Sequence, residues 1–124
     1  MGHLWTWPGL NGQEYTFEVY QIPVVLPPES GVYIICRAVQ KGFAPLYVGE
    51  AGDLFERLNT GAKEHKGLQR ASRLGAEHIG FLRCGPTDRF RIETELRHSL
   101  NPPCNKQPVP RNALSLFDIE NQIK

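Results

Sequence analysis

With 124 residues and a formal net charge of +1, the chain has the size of one domain, able to bury about 65% of the surface its unfolded form exposes. That balance lacks the basic excess of most nucleic-acid-binding domains, and the apolar stretches are only a few residues long, so neither a membrane span nor a signal peptide is expected. The three cysteines, Cys36, Cys84 and Cys104, are far apart and lack Cys-x-x-Cys spacing; they point to buried thiols in a reducing compartment, and a soluble, cytoplasmic protein is expected.

Residues 14 to 20 alternate polar with aromatic or β-branched side chains, the period of a half-buried strand, with Tyr15, Phe17 and Val19 facing inward. After a connection rich in proline (Pro23, Pro27, Pro28), residues 31 to 37 form a second strand and residues 45 to 49 a third, with a hairpin-length join containing Gly42. Asp53 followed by Glu56 has the form of a helix N-cap with its capping partner, and Leu54 with Leu58 supplies the inward stripe. Residues 64 to 74 read as a helix ended by Gly75, and residues 77 to 83 as a further strand. Gly85-Pro86-Thr87-Asp88 reads as a turn and N-cap. The helix it opens keeps Ile92, Leu96 and Leu100 on one side until Pro102-Pro103 stops it. The tail from Arg111 onward has enough apolar residues to pack back as a short helix. These elements predict an α+β fold, a small antiparallel or mixed sheet of three to four strands flanked by helices. A single domain over 1–124 is expected, with a core at 31–107, an N-terminal strand extension at 1–30 and a C-terminal tail at 108–124.

Lys63, Lys66, Arg70 and Arg73 recur at i, i+3, i+7 and i+10, so on one continuous helix they form a basic stripe. Such a stripe is either an ordinary solvated face or a surface that meets phosphates. Trp5, Trp7 and Pro8 near the N-terminus either cover the sheet or dock a protein partner.

Gly31-Val32-Tyr33 and Tyr47-Val48-Gly49 are followed by Arg57, eight residues past Gly49, and then by Glu93, Leu96, Pro102 and Asn105. This series resembles the GIY-YIG nuclease family, in the branch of the excision-repair endonuclease, over roughly three-fifths of the chain. The resemblance implies a three-stranded antiparallel core with flanking helices, endonuclease activity on nucleic acid, DNA in the first instance, and a single divalent cation, Mg²⁺ or Mn²⁺. Hydrolysis of a phosphodiester requires a base for water, a cation for the developing charge and donors that hold the phosphate. Glu93, at the border of an apolar helix face, is the expected metal ligand, because a hard carboxylate with waters suits Mg²⁺. Arg57 offers a planar fork of donors and is assigned to the scissile phosphate. Tyr33 is assigned as the base and Tyr47 to positioning. An ordinary phenol loses its proton near ~10, so the base requires a nearby cation or a relay. Gly49 allows close approach of a phosphate, and Asn105 either braces the site or contacts the phosphate.

Two positions depart from the family pattern. Where some members carry lysine after the second motif this chain has Glu50, which opposes tyrosinate formation. Where many carry histidine or tyrosine four residues after the arginine, this chain has Gly61. His65, four residues further on, either relays a proton near its ordinary pKa of ~6.5 or stands exposed at a helix start. The departures leave a second reading in view, a catalytically weak or inactive nucleic-acid-binding module of the same fold.

Overall fold

The structure is a computed structural model that describes residues 2–105; the expected tail helix lies outside them. The strands are β1 (His3–Pro8), β2 (Glu14–Gln21), β3 (Gly31–Val39), β4 (Gly42–Ala51) and β5 (His78–Arg83). They form one sheet in the order β1-β2-β5-β3-β4, and every neighbouring pair is antiparallel. The helices are α1 (Lys66–Arg73) and α2 (Pro86–Leu100), and a π-helical turn (Glu56–Thr60) and a 3₁₀ turn (Ala62–Glu64) link β4 to α1.

The sheet therefore has five strands, more than the three to four expected. The extra one is β1, joined to β2 through a tight turn in which Asn11 and Gly12 have φ of 54° and 80°. An Asn-Gly pair tolerates that left-handed geometry and is a strong hairpin signal. Trp7 in β1 is buried edge-on against Phe17, and Trp5 lies edge-on to Phe43. The two tryptophans cover the sheet, so Trp7 offers no docking surface. Glu95 of α2 holds this hairpin, accepting hydrogen bonds from the Tyr15 hydroxyl at 3.1 Å and the Leu10 amide at 3.2 Å.

Alternation along the strands supplies two apolar faces. Trp7, Phe17, Val19, Val32, Ile34 and Val48 pack beneath Ile92 and Leu96 of α2. On the other face Tyr33, Ile35, Ile79 and Phe81 meet Leu54 and Leu58 around the π-helical turn and Ala71 of α1. Asp53 caps as expected, its Oδ1 accepting from the Glu56 amide at 3.0 Å. The turn it opens is wider than an α-turn, with the Gly61 amide donating to the Glu56 carbonyl at 2.8 Å. Helix α2 begins at Pro86, with Gly85 as its N-cap, so the helix takes in most of the segment expected as a turn and N-cap. Proline suits the first helical position because its φ is already helical and no N–H is required there.

Candidate active site

Antiparallel register fixes the heart of the site. Tyr33 of β3 stands opposite Gly49 of β4, and Ile35 opposite Tyr47, so both tyrosines project from the same face of adjacent strands. Their rings stack with centroids 6.1 Å apart. A Cβ at Gly49 would lie 2.5 Å from the Tyr33 ring and hydroxyl, and a Cβ at Gly67 of α1 would collide with the Tyr47 ring. Each tyrosine thus rests on a glycine, Gly49 from the sheet and Gly67 from the helix. The requirement at Gly49 comes from the seat of Tyr33.

His65 closes the cluster from behind. Its side chain is fully buried, and its ring stands edge-on to Tyr33 and to Tyr47, with centroids 5.8 and 5.2 Å away. It is the N-cap of α1, and its Nδ1 accepts from the Leu68 amide at 3.0 Å. An amide can donate there only if Nδ1 carries no proton, so the neutral imidazole keeps its proton on Nε2 and donates it to the Tyr33 oxygen 2.7 Å away. Burial, then the charges of Arg57 and Arg70, lower the pKa of His65 from 6.5 to about 4. Both expectations for His65 are corrected: it is neither exposed nor a relay titrating near 6.5, but a buried, neutral hydrogen-bond donor. Gly61 supplies no side chain to this cluster, and His65 enters it from the start of the next helix.

Tyr33 is 1% exposed. Burial lifts its phenol well above the ordinary value, the Tyr47 phenol adds to this, and the Arg57 charge offsets part of it. Its oxygen is engaged by His65 Nε2 at 2.7 Å. Tyr47 is only partly buried and lines the same cleft. Arg57, on the π-helical turn, forms no ion pair with a described carboxylate. Partial burial works against its charge, but Tyr33 and Tyr47 outweigh this and hold its proton more tightly than usual.

These groups open on a polar cleft of about 380 Å³, lined by Tyr33, Tyr47, Gly49, Arg57 and Asn105, with Glu50, Arg70, Glu93 and Arg97 completing the wall. The Glu93 carboxylate is 14% exposed and lies 3.4 Å from Arg97, one turn further along α2. Burial raises the Glu93 carboxyl above its ordinary value, Arg97 pulls it back, and Glu50 adds to the rise. Glu50 is neutralised by Arg89 at 2.6 Å, and Arg89 also donates to the Ser30 hydroxyl at 3.0 Å. The acid that replaces lysine here is thereby offset by an arginine of α2. No group of three or more His, Cys, Asp or Glu side chains gathers among the described residues. Two carboxylates, Glu50 and Glu93, do not make a zinc cage, but Glu93 on this polar wall fits a divalent cation that keeps most of its waters, such as Mg²⁺.

Asn105 braces β4. Its Oδ1 accepts from the Val48 amide at 2.9 Å and its Nδ2 donates to the Val48 carbonyl at 2.8 Å. Engaged through Oδ1 and one Nδ2 hydrogen, it holds the strand while lining the cleft. Arg70 lines the cleft, and its Nε and Nη2 both donate to the Cys104 carbonyl at 3.0 and 2.8 Å. Lys66 and Arg73 are exposed on α1, but Lys63 leaves the expected stripe. The extended backbone of His65 (φ −86°, ψ 98°) separates the 3₁₀ turn from the helix. Arg97 and Gly67 were not singled out from the sequence. The i, i+4 pairing of Glu93 with Arg97 and the glycine in a first helical turn were the available signals.

No protein-family model and no curated protein matches the chain. Among solved structures, three crystal structures of the N-terminal GIY-YIG endonuclease domain of UvrC from Thermotoga maritima are similar to it, each with a different tyrosine replaced by phenylalanine and each bound to its catalytic divalent cation. Two of them, at 24% and 23% identity, both have a TM-score of 0.53, with 65% of this chain and 87% of theirs covered. The chain has a GIY-YIG-like fold. Within that GIY-YIG-like frame, the β1–β2 hairpin extends the sheet on the side away from β4, leaving the cleft on the opposite edge.

Proposed function

We propose that this protein is a metal-dependent endonuclease that hydrolyses phosphodiester bonds in DNA with a single divalent cation. The observation that carries the reading is the convergence of Tyr47, Tyr33, Arg57 and Glu93, brought from two strands, a π-helical turn and a helix, on one polar cleft. The solved neighbours are endonuclease domains bound to a catalytic divalent cation, and that chemistry is carried to this chain as a proposal.

Glu93 would hold the cation, which supplies Lewis acidity to the phosphate and to the departing oxygen. Arg57 binds the scissile phosphate through its planar fork and meets the charge that builds on the phosphoryl oxygens. Tyr47 takes a proton from the attacking water. It stands beside the Arg57 charge and stacks against Tyr33, whose phenol burial keeps protonated. Tyr33 is held in that state by His65 Nε2–H, which occupies a lone pair of the Tyr33 oxygen and leaves its hydroxyl proton to be donated forward. Lys66 and Arg73, exposed on the helix that also brings Arg70 to the cleft, would contact the nucleic-acid backbone.

The test is cleavage of labelled duplex, single-stranded, flap and branched DNA and of RNA by the wild type and by Glu93→Gln, in Mg²⁺, Mn²⁺ and EDTA. Cutting of DNA that requires metal and disappears in Glu93→Gln is expected. Binding without cutting by the wild type would make the non-catalytic module the better account.

A further inference from the structure

The two margins of the sheet differ in what their backbones offer. On β4 the Leu46 carbonyl and both backbone groups of Val48 are taken by Cys104 and Asn105. Strand β1 ends the other side, paired with β2 alone. Which of its groups face outward follows from two hydrogen bonds. Just past β2 the Ile22 amide donates to the Glu77 carbonyl at 2.8 Å, so the even residues of β2 turn their amides and carbonyls to β5, and Tyr15, Phe17 and Val19 turn theirs to β1. Their partners there are Trp7, Trp5 and His3. The Gly9 amide, donating to the Gln13 carbonyl at 2.8 Å, continues this odd series. The amides and carbonyls of Leu4 and Thr6 therefore point away from the sheet, and no described strand covers them. Pro8, next in the even series, has no N–H, and its carbonyl accepts from the Ser99 hydroxyl. Sheet edges are commonly shielded by charged side chains. Residues 1–12 contain no Lys, Arg, Asp or Glu, and Leu4 is 72% exposed beside the free groups.

We propose that β1 pairs antiparallel with β1 of a second copy of this chain, about a two-fold axis at Trp5, and joins the two sheets into one dimer. The rotation sets Leu4 of one copy opposite Thr6 of the other, and Thr6 opposite Leu4. Every free amide of one strand then meets a free carbonyl of its image, and none is left over. That self-complementarity singles out a second copy as the occupant, and with no charge in residues 1–12 the strand does not repel its own image. The faces agree as well. Leu4 and Thr6 share one side of the sheet, and Trp5 meets Trp5 on the other at a non-hydrogen-bonded position, where side chains come closest. Pro8 ends the pairing, so the contact is short. An interface of this length falls below ~1,200 Å² of total buried surface, in the range of transient complexes, and the two-fold closes it at a dimer. Both clefts lie on the far margins of the joined sheet and stay open.

The experiment is sedimentation equilibrium of the full chain from about 10 µM to about 1 mM, for the wild type, Thr6→Pro and Leu4→Lys, with amide exchange of the wild type followed by NMR over the same range. Thr6→Pro removes an outward N–H and no bond to β2. Leu4→Lys adds a charge at an exposed position and serves if Thr6→Pro does not fold. The wild type is expected to pass from monomer to dimer with a Kd on the order of 100 µM, and exchange at Leu4 and Thr6 to slow about fourfold between the two ends of the range. Thr6→Pro is expected to stay monomeric, and Leu4→Lys to dimerise about tenfold more weakly. A wild type that remains monomeric at about 1 mM would overturn the proposal and leave the edge to an extended segment of another protein. A dimer that persists in both folded variants, with exchange at Leu4 and Thr6 unchanged, would overturn it too, since the copies would then meet on another face.

Discussion

Holding His65 neutral in the fold has a cost that depends on pH. In the unfolded chain this histidine takes up a proton near 6.5, and in the folded protein it does so only near pH 4. Between these values the unfolded state binds more protons, so stability falls as the pH is lowered through the window. The contribution is complete above pH 6.5, is reduced by about 2 kcal/mol at pH 5 and by about 3 kcal/mol below pH 4. Urea denaturation of the wild type and of His65→Gln, from pH 4 to pH 8, isolates the effect. Glutamine does not titrate, and its amide can donate to Tyr33 as Nε2–H does, so carboxylate titrations common to both proteins cancel in the difference. The wild type is expected to lose its advantage over the variant as the pH falls, by on the order of 1 M in urea midpoint at pH 5. A difference that stays flat from pH 7 to pH 4 would refute the argument that the Leu68 amide and burial fix His65 as a neutral donor.

Gly49→Ala places a Cβ 2.5 Å from the Tyr33 ring, so a ring with no exposed side must move by about 1 Å. The turnover rate should fall ~100-fold, with a stability loss of about 1–3 kcal/mol. Cleavage at saturating substrate together with denaturation reads both, and a full wild-type rate would count against the paired seat of Tyr33. Asn105→Ala leaves the amide and carbonyl of Val48 without their side-chain partner and should cost about 1–3 kcal/mol. Thermal unfolding checks it, and an unchanged Tm would mean that the brace carries no weight.

The strands that were legible are rich in β-branched or aromatic residues, alternating with polar ones in residues 14 to 20 and in an unbroken apolar run in residues 31 to 37. Strand β1 was missed although Asn11-Gly12 announces its turn, because Trp5 and Trp7 were weighed as a patch and not as alternate positions of a strand. That Tyr33, Tyr47, Arg57 and Glu93 meet on one cleft follows from their spacing, because register and helical pitch convert fixed intervals into fixed places. The burial of Tyr33 was not legible, because it arises only when His65 and α1 close over its ring. The π-helical turn was hidden for a similar reason. Its residues read as a capped helix, and what pins the segment is Asn59, whose amide holds the Leu26 amide and the Val24 carbonyl 35 or fewer residues earlier in the chain. Lys63 misled because an unbroken helix was assumed across His65.

Strand β4 ends the sheet, and an outermost strand with vacant amides and carbonyls invites pairing from another molecule. Here the Leu46 carbonyl is taken by the Cys104 amide at 2.8 Å and both backbone groups of Val48 by Asn105. Cys104 and Asn105, after α2, therefore lie along the margin that borders the cleft and occupy its backbone groups there. The backbone groups that strand addition would use at these positions are already taken.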